Sequence, residues 1–300
     1  MLASPRELLP HRAMMTGRVP PTYFERVQNH ARGLWDKLES DPEIAGPWRL
    51  LFEQVQSPRH VLSELLQNAD DAGASKASVT IHNSLFVFEH DGHDFNEEEF
   101  ASLCRFACSN KRNLHTIGFR GVGFKSTFSL GDVVEVQTPS LAVSFGKRRF
   151  TEPEWKPDAP ACSVTRIVVQ IQDEHREREV GKNLREWVES PASLLFFNHL
   201  EELTLGDVVL RKQLLGSGPV PNSKRIKISG GDECEVLQIT SEEEAFPQDA
   251  IEEVLRERYS EDRELPPSRV ELVVGLPGAR KLYVVLPTGC LLYTSPSPRD

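Results

Sequence analysis

The chain has 300 residues, 39% of them hydrophobic and 27% charged, which suits one large or two medium globular domains. A net charge of −10 argues against a general binder of the nucleic-acid backbone, and no run approaches the roughly 18 apolar residues of a membrane-spanning helix. Five scattered cysteines argue against a disulfide framework; with no apolar signal-peptide core in residues 1–15, the expected compartment is cytoplasmic.

Residues 1–20 carry Pro and Arg without periodicity and are expected to form a flexible leader. From Tyr23 onward, Phe24, Val27, Ala31, Leu34, Trp35 and Leu38 recur at helical spacing, and a second short helix is expected over Trp48–Gln56. Ser57 and Pro58 predict the N-cap and first position of a helix running to Asp71, with Gly73 placed to stop it. Ala77, Val79 and Ile81 alternate with polar residues, Asn83-Ser84 turns the chain, and Leu85–Glu89 returns as a second strand. Asn96 and Glu99 predict a capping box, opening a helix whose core face is Phe100, Leu103, Cys104 and Ala107. A glycine-rich segment at 118–123 leads into a short helix from Phe124, and strands are expected at Asp132–Gln137, Leu141–Phe145 and Val164–Ile171. Gly206-Asp207 marks a hairpin. The Gly, Ser and Pro residues of 216–223 read as a linker to a partial second α/β region over 216–289. That region holds a strand at Glu235–Ile239, an acidic helix at Asp249–Tyr259, and strands at Val270–Val274 and Leu282–Leu286. The tail 290–300 breaks the preceding pattern and reads as non-native sequence, which implies a natural protein continuing past Gly289.

Three local features carry chemistry. On the helix ending at Asp71, Glu64, Asn68 and Asp71 fall within an arc of roughly 60°, opposite the apolar Val61, Leu62, Leu65, Leu66 and Ala69. Alone, this is the polar face of any amphipathic helix. The segment from Gly118 through Gly121 and Gly123 to Lys125 and Ser126 sets three glycines before a helix start, where free N–H groups and the helix dipole favour a phosphate. Its spacing is neither that of a P-loop nor that of a dinucleotide fingerprint. Asp91-Gly92 follows directly on a strand, so that the carboxylate can accept a hydrogen bond from an adenine amino group and the glycine can admit a planar ring; the plain reading is a turn.

The ordered set Glu64-x-x-x-Asn68-x-x-Asp71-Ala72-Gly73, Asp91-Gly92 and Gly118-x-x-Gly121-x-Gly123-Phe124-x-Ser126 resembles the motifs of the GHKL ATPase superfamily. That superfamily takes in gyrase B subunits, ninety-kilodalton heat-shock chaperones, histidine kinases and mismatch-repair proteins of the MutL type. The run His90–Phe95 and Ser109-x-Lys111 looks most like sacsin-type ATP-binding domains. The likeness covers about residues 25–215 well and 216–289 loosely, and it implies an ATP-binding domain over 21–215. It implies a two-layer α/β sandwich of the Bergerat type, a mixed, mostly antiparallel sheet with helices on one face. It implies ATP and Mg2+ as cofactors, Glu64 as the general base acting on water, and Asn68 as the metal ligand. By the same likeness Asp91 reads adenine beside Gly92, Thr165 backs that carboxylate, and Asp71 supports the pocket floor. Gly118, Gly121, Val122, Gly123, Phe124 and Ser126 wrap the phosphates, with Lys125 or Lys111 as a charge partner. The second motif departs from the family where Asp94 stands in place of a further glycine, and Arg120 replaces a residue that is often aromatic.

Other groups are read as structural. Cys104 and Cys108 have no second ligand pair and are expected to be buried thiols; His82, His90, His93 and His115 suit strand ends and loops, not a metal. Two functions follow. One is an ATPase whose slow, Mg2+-dependent hydrolysis is coupled to lid closure over residues 96–123, or to homodimer formation, and drives a downstream region. The other is a nucleotide-sensing module that binds ATP with negligible turnover, in a nucleic-acid or defence system. No membrane partner is expected, and the protein client is not specified by these residues.

Overall fold

A computed structural model describes residues 17–54, 57–105, 123–189, 191–230, 233–249, 251–252, 267, 269–275, 281–284 and 286–291. Helix α1, Phe24–Ser40, buries Phe24, Val27, Ala31, Trp35 and Leu38, the stripe that its spacing predicts. Helix α2 spans Pro42–Gln54 and begins before the expected Trp48; Asp41 accepts the Glu43 N–H and Pro42 takes the first position, where no N–H is needed. Helix α3 covers Val61–Asp71. Its start differs from expectation, because Ser57 O accepts the His60 N–H at 3.0 Å and closes a turn over 58–60 before helical bonding begins at His60 O. Its end is as expected: Ala74 N–H reaches back to Ala69 O at 2.9 Å and Gly73 adopts φ +70°.

Strands β1 (Lys76–His82) and β2 (Leu85–His90) form an antiparallel hairpin with Asn83 and Ser84 at φ 50° and 59°, the twist-matched turn geometry. Helix α4, Glu97–Leu103, has the expected capping box, with Glu99 N–H on Asn96 Oδ1 at 3.0 Å and Asn96 N–H on Glu99 Oε2 at 2.9 Å. A 3₁₀ helix follows at Gly123–Ser129. Then come β3 (Val133–Gln137), β4 (Ala142–Gly146), β5 (Pro153–Trp155), β6 (Thr165–Gln170) and helix α5 (Glu174–Glu189). After a 3₁₀ turn at Pro191–Phe196 lie β7 (Glu202–Leu205), β8 (Val208–Ser217), β9 (Ser223–Ser229), β10 (Cys234–Thr240) and β11 (Glu271–Val274). Strands β12 (Lys281–Val284) and β13 (Leu286–Leu291) form a separate antiparallel pair.

The eleven strands β1–β11 make one mixed sheet in the order β11-β10-β9-β8-β7-β1-β2-β6-β3-β4-β5. Among the described strands only β1 and β7 pair in parallel; the other neighbours are antiparallel. Register sets one row of side chains across the sheet, Leu205, Val79, Phe88, Ile167, Val136 and Val143, each buried and each in the same apolar core as Trp35, Leu62, Leu66, Phe100 and Trp187 of the helices. The alternate side carries Thr80, which is exposed, and the cross-strand ion pair Glu89–Arg166. The α/β architecture, with its mostly antiparallel sheet, is therefore the one that the motifs implied.

Two expectations change. The stretch 216–223 is no linker: β8 runs through Ser217 and pairs with β9, so the glycines, prolines and Asn222 (φ 55°) turn a hairpin and the sheet continues through them. Helix α5 was not anticipated, because its many charges mask a sparse stripe of Val180, Leu184, Trp187 and Val188. The acidic helix expected at Asp249–Tyr259 lies largely outside the described residues. No helix among the described residues is long and apolar enough to cross a membrane.

Candidate functional site

Helix α3 packs Val61, Leu62, Leu65, Leu66 and Ala69 into the core at no more than 1% exposure, which fixes its rotation and turns Glu64, Asn68 and Asp71 to the other side, each half-buried. Glu64 meets the 3₁₀ helix that begins at Gly123. A methyl group built on Gly123 would collide with Glu64 Oε2 and would lie 3.2 Å from its carboxyl carbon. The acid therefore occupies the space that the absent side chain leaves. Burial pushes the Glu64 carboxyl above its ordinary range, and nearby His60 offsets this only in part. Gly118, Gly121, Val122 and Lys111 lie outside the described residues.

Asp91 stands at the end of β2, just past α3. Ser75 Oγ donates to its Oδ2 at 2.7 Å and Lys76 N–H to its Oδ1 at 2.8 Å. Partial burial works against the charge, but these donors outweigh it and hold the carboxyl below its usual range. Asp91 is thus a fixed, ionised acceptor. Gly92 does something other than admit a ring: a Cβ there would sit 2.8 Å from Ala72 O and 2.9 Å from Ala72 Cβ, so its open face is filled by the end of α3. His93 N–H also donates to Ala72 O, at 3.0 Å.

Thr165 opens β6 directly opposite His90, on the helix-facing side of the sheet. It is 1% exposed, and its Oγ1 has no hydrogen-bond partner among the described residues; Ser126 Oγ is in the same position. Buried hydroxyls without partners are uncommon and mark places where a water or ligand atom completes the bonding. Phe124 packs edge-on against Phe145, with ring centroids 5.5 Å apart. Lys125 corrects the expectation. It is 1% exposed, its Nζ donates to Leu103 O at 2.7 Å and Phe150 O at 3.0 Å, and burial pulls its pKa down to about 7. It ties the 3₁₀ helix to the end of α4 and is not turned to a phosphate. Cys104 is a buried thiol, as expected, with its pKa pushed up to about 12.

Two residues near the site, Asp70 and Ser75, were not singled out in advance. Asp70 is 1% exposed and accepts backbone N–H groups from Asn198, His199 and Leu200 at 2.9, 2.7 and 2.9 Å. A carboxylate at the edge of the apolar stripe of α3, one turn after Leu66, was a legible signal that some partner must satisfy it. Ser75 holds Asp91. His90 is buried, burial pulls its pKa down to about 4, and its Nδ1 accepts the Gly92 N–H at 3.2 Å. Among the described residues, no three His, Cys, Asp or Glu side chains converge on a metal-sized site. A metal here would rest on the Asn68 amide, with Asp71 one turn on, and draw its other ligands from outside these side chains. That donor set suits Mg2+, which keeps few protein ligands and takes phosphate and water oxygens.

Residues 56–151 match the family described as Histidine kinase-, DNA gyrase B-, and HSP90-like ATPase. The DNA mismatch repair protein MutL of Chlorobium chlorochromatii is 43% identical over 105 residues, covering 31% of this chain and 16% of its own. The MutL of Chloroherpeton thalassium is 39% identical over 103 residues (31% and 16%), and that of an Exiguobacterium species 37% over 92 residues (27% and 15%). The chain thus spans only a small part of the length of these relatives. The matched stretch contains Glu64, Asn68, Asp71, Asp91 and Gly123, and over residues 56–151 the chain is similar to the histidine kinase-, DNA gyrase B- and HSP90-like ATPases of the GHKL superfamily.

Proposed function

We propose that the chain binds ATP with Mg2+ and hydrolyses it slowly. The observation that carries this reading is the seating of the Glu64 carboxylate against Gly123, an acid facing the segment whose backbone would hold the phosphates. Glu64 takes the proton of the attacking water; its raised pKa makes it a more avid acceptor than a solvated carboxylate. Asn68 is the metal ligand, Asp71 supports the pocket floor, and Mg2+ when bound offsets charge on the phosphate oxygens. Asp91, held ionised by Ser75 and Lys76, accepts from the adenine amino group; Thr165, expected to back that carboxylate, makes no bond to it and instead offers a buried hydroxyl with no partner among the described residues. The fit of the nucleotide to this end of the sheet is supported by the unpartnered Thr165 hydroxyl. The sacsin-type likeness of His90–Phe95 belongs to the same reading.

Coupling is the finer part of the proposal. Hydrolysis drives closure of residues 96–123 over the site, or pairing of two copies, and a downstream region reads out the change. Within that lid, residues 96–105 and Gly123 fall among the described residues.

Calorimetric titration of the intact chain tests the binding step. Saturable uptake of Mg·ATP is expected, with the Mg2+ dependence weakened about tenfold or more by Asn68→Ala, the usual cost of losing a metal-site contact. A folded chain that takes up no Mg·ATP ends the proposal. Thr165→Val adds a second check, because it removes a buried hydroxyl that has no partner. The nucleotide-free chain should gain about 1 kcal/mol in denaturant unfolding, while ATP affinity falls by about threefold or more. A variant that loses stability instead would place the hydroxyl in an internal bond.

A further inference from the structure

The buried carboxylate of Asp70 belongs to a hydrogen-bonded path joining the two ends of the nucleotide site. Its three backbone donors are consecutive residues of the loop between the 191–196 turn and β7. The next two residues, Glu201 at the end of that loop and Glu202 at the start of β7, both donate their N–H groups to Ser75 O, at 2.9 and 3.0 Å. Ser75 Oγ in turn donates to Asp91. The loop itself is held from behind: Lys212 Nζ donates to Phe197 O at 2.8 Å, and Phe197 stacks on Trp187 of α5. Asp70 follows Asn68 by two positions and precedes Asp71, so it sits in the turn of α3 that carries the metal ligand. The path therefore runs from that turn, through residues 198–202 and the start of the parallel β1–β7 pair, to the carboxylate that reads the base.

We propose that Asp70 is a positioning residue of the nucleotide site, fixing the Asn68 turn of α3 relative to Asp91 through the segment 198–202 and Ser75. The inference rests on the nucleotide reading given above. Its physical basis is directional. Bonds from N–H groups to an ionised carboxylate are about twice as strong as neutral ones and fix the geometry of both partners. Three of them on one buried group hold the helix end and the loop as a unit. A ligand that bridges Asn68 and Asp91 through its phosphates and base depends on that spacing, since misplacement of one contact weakens the other.

A purely structural role for Asp70 predicts lower stability with unchanged affinity in the folded fraction. The positioning role predicts a change in affinity, and one coupled to Ser75. The experiment is a double-mutant cycle on the intact chain, with Mg·ATP binding read by calorimetry under conditions where circular dichroism shows each variant folded. Asp70→Asn and Ser75→Ala are each expected to weaken Mg·ATP by about tenfold, the scale of outer contacts around a metal site. The double variant should fall no further than the weaker single one, because both cut the same path. Singles that bind like wild type, or losses that multiply to about a hundredfold in the double variant, overturn the inference while leaving the nucleotide reading intact. If Asp70→Asn does not fold, Lys212→Met replaces it in the cycle, with the same expected non-additivity and the same overturning results. Absence of Mg·ATP uptake by the wild-type chain itself would instead remove the nucleotide reading, and this inference with it.

Discussion

Glu64→Gln is expected to abolish turnover, keep Mg·ATP binding and make the chain more stable at neutral pH. Loss of a general base costs about two to four powers of ten in rate. Under the alternative, a sensing module without hydrolysis, the same substitution leaves nucleotide chemistry unchanged, so a turnover assay separates the two. The stability effect has a definite sign. Burial raises the Glu64 pKa in the folded chain above its unfolded value, so the folded state holds the proton more tightly. Whatever stability that proton gives is fully present below the ordinary carboxylate range and is lost as pH rises through the folded pKa. At neutral pH the wild-type chain therefore carries a partly buried charge that glutamine lacks. The variant should gain about 1 kcal/mol in denaturant unfolding there, the scale of one poorly satisfied buried group, and the gain should vanish near pH 4. A difference that is equal at both pH values would show that the charge is not its source. An acid kept in an unfavourable place is what a site maintained for chemistry would show.

Much of this arrangement was legible, because it depends on neighbours in sequence. The apolar stripe of α3 settles which way Glu64, Asn68 and Asp71 face, and Asn83-Ser84 and Asn96/Glu99 each specify a turn or cap from adjacent residues alone. What escaped depends on distant partners. Lys125 follows a glycine loop and reads as a phosphate contact, yet its direction is set by carbonyls at Leu103 and Phe150, 22 and 25 residues away in the chain. Ser57-Pro58 has the composition of a helix start, but the carbonyl of Ser57 closes a turn first. The glycines and prolines of 216–223 signal a chain reversal equally well for a linker and a hairpin; only the pairing of β8 with β9 distinguishes them. Asp70 is the intermediate case: its place at the edge of the apolar stripe announced a partner, but three consecutive N–H groups about 130 residues further along could not be named from sequence.

The two described glycines of the site should respond to the same substitution in opposite ways. Gly92→Ala drives a Cβ to 2.8 Å from the Ala72 carbonyl oxygen and 2.9 Å from its side chain, so relief requires moving the backbone at the end of α3. Overpacking of that kind costs about 2 kcal/mol and should show as a lower unfolding midpoint. At Gly123 the obstacle is the far end of Glu64, a flexible side chain that can swing aside, and the backbone there is not left-handed. Gly123→Ala should therefore hold wild-type stability within about 1 kcal/mol, since alanine also restricts the unfolded chain. Turnover should nevertheless fall about a hundredfold or more, because the methyl group takes the place of the general base. Mg·ATP affinity should change little, and adding Glu64→Gln to Gly123→Ala should lower the rate no further, since both remove one group from one position. A fully active Gly123→Ala variant would mean that the carboxylate does its work elsewhere. Stability and turnover are thus separable at two glycines that frame the same helix, because one packs against backbone and the other against the reacting acid.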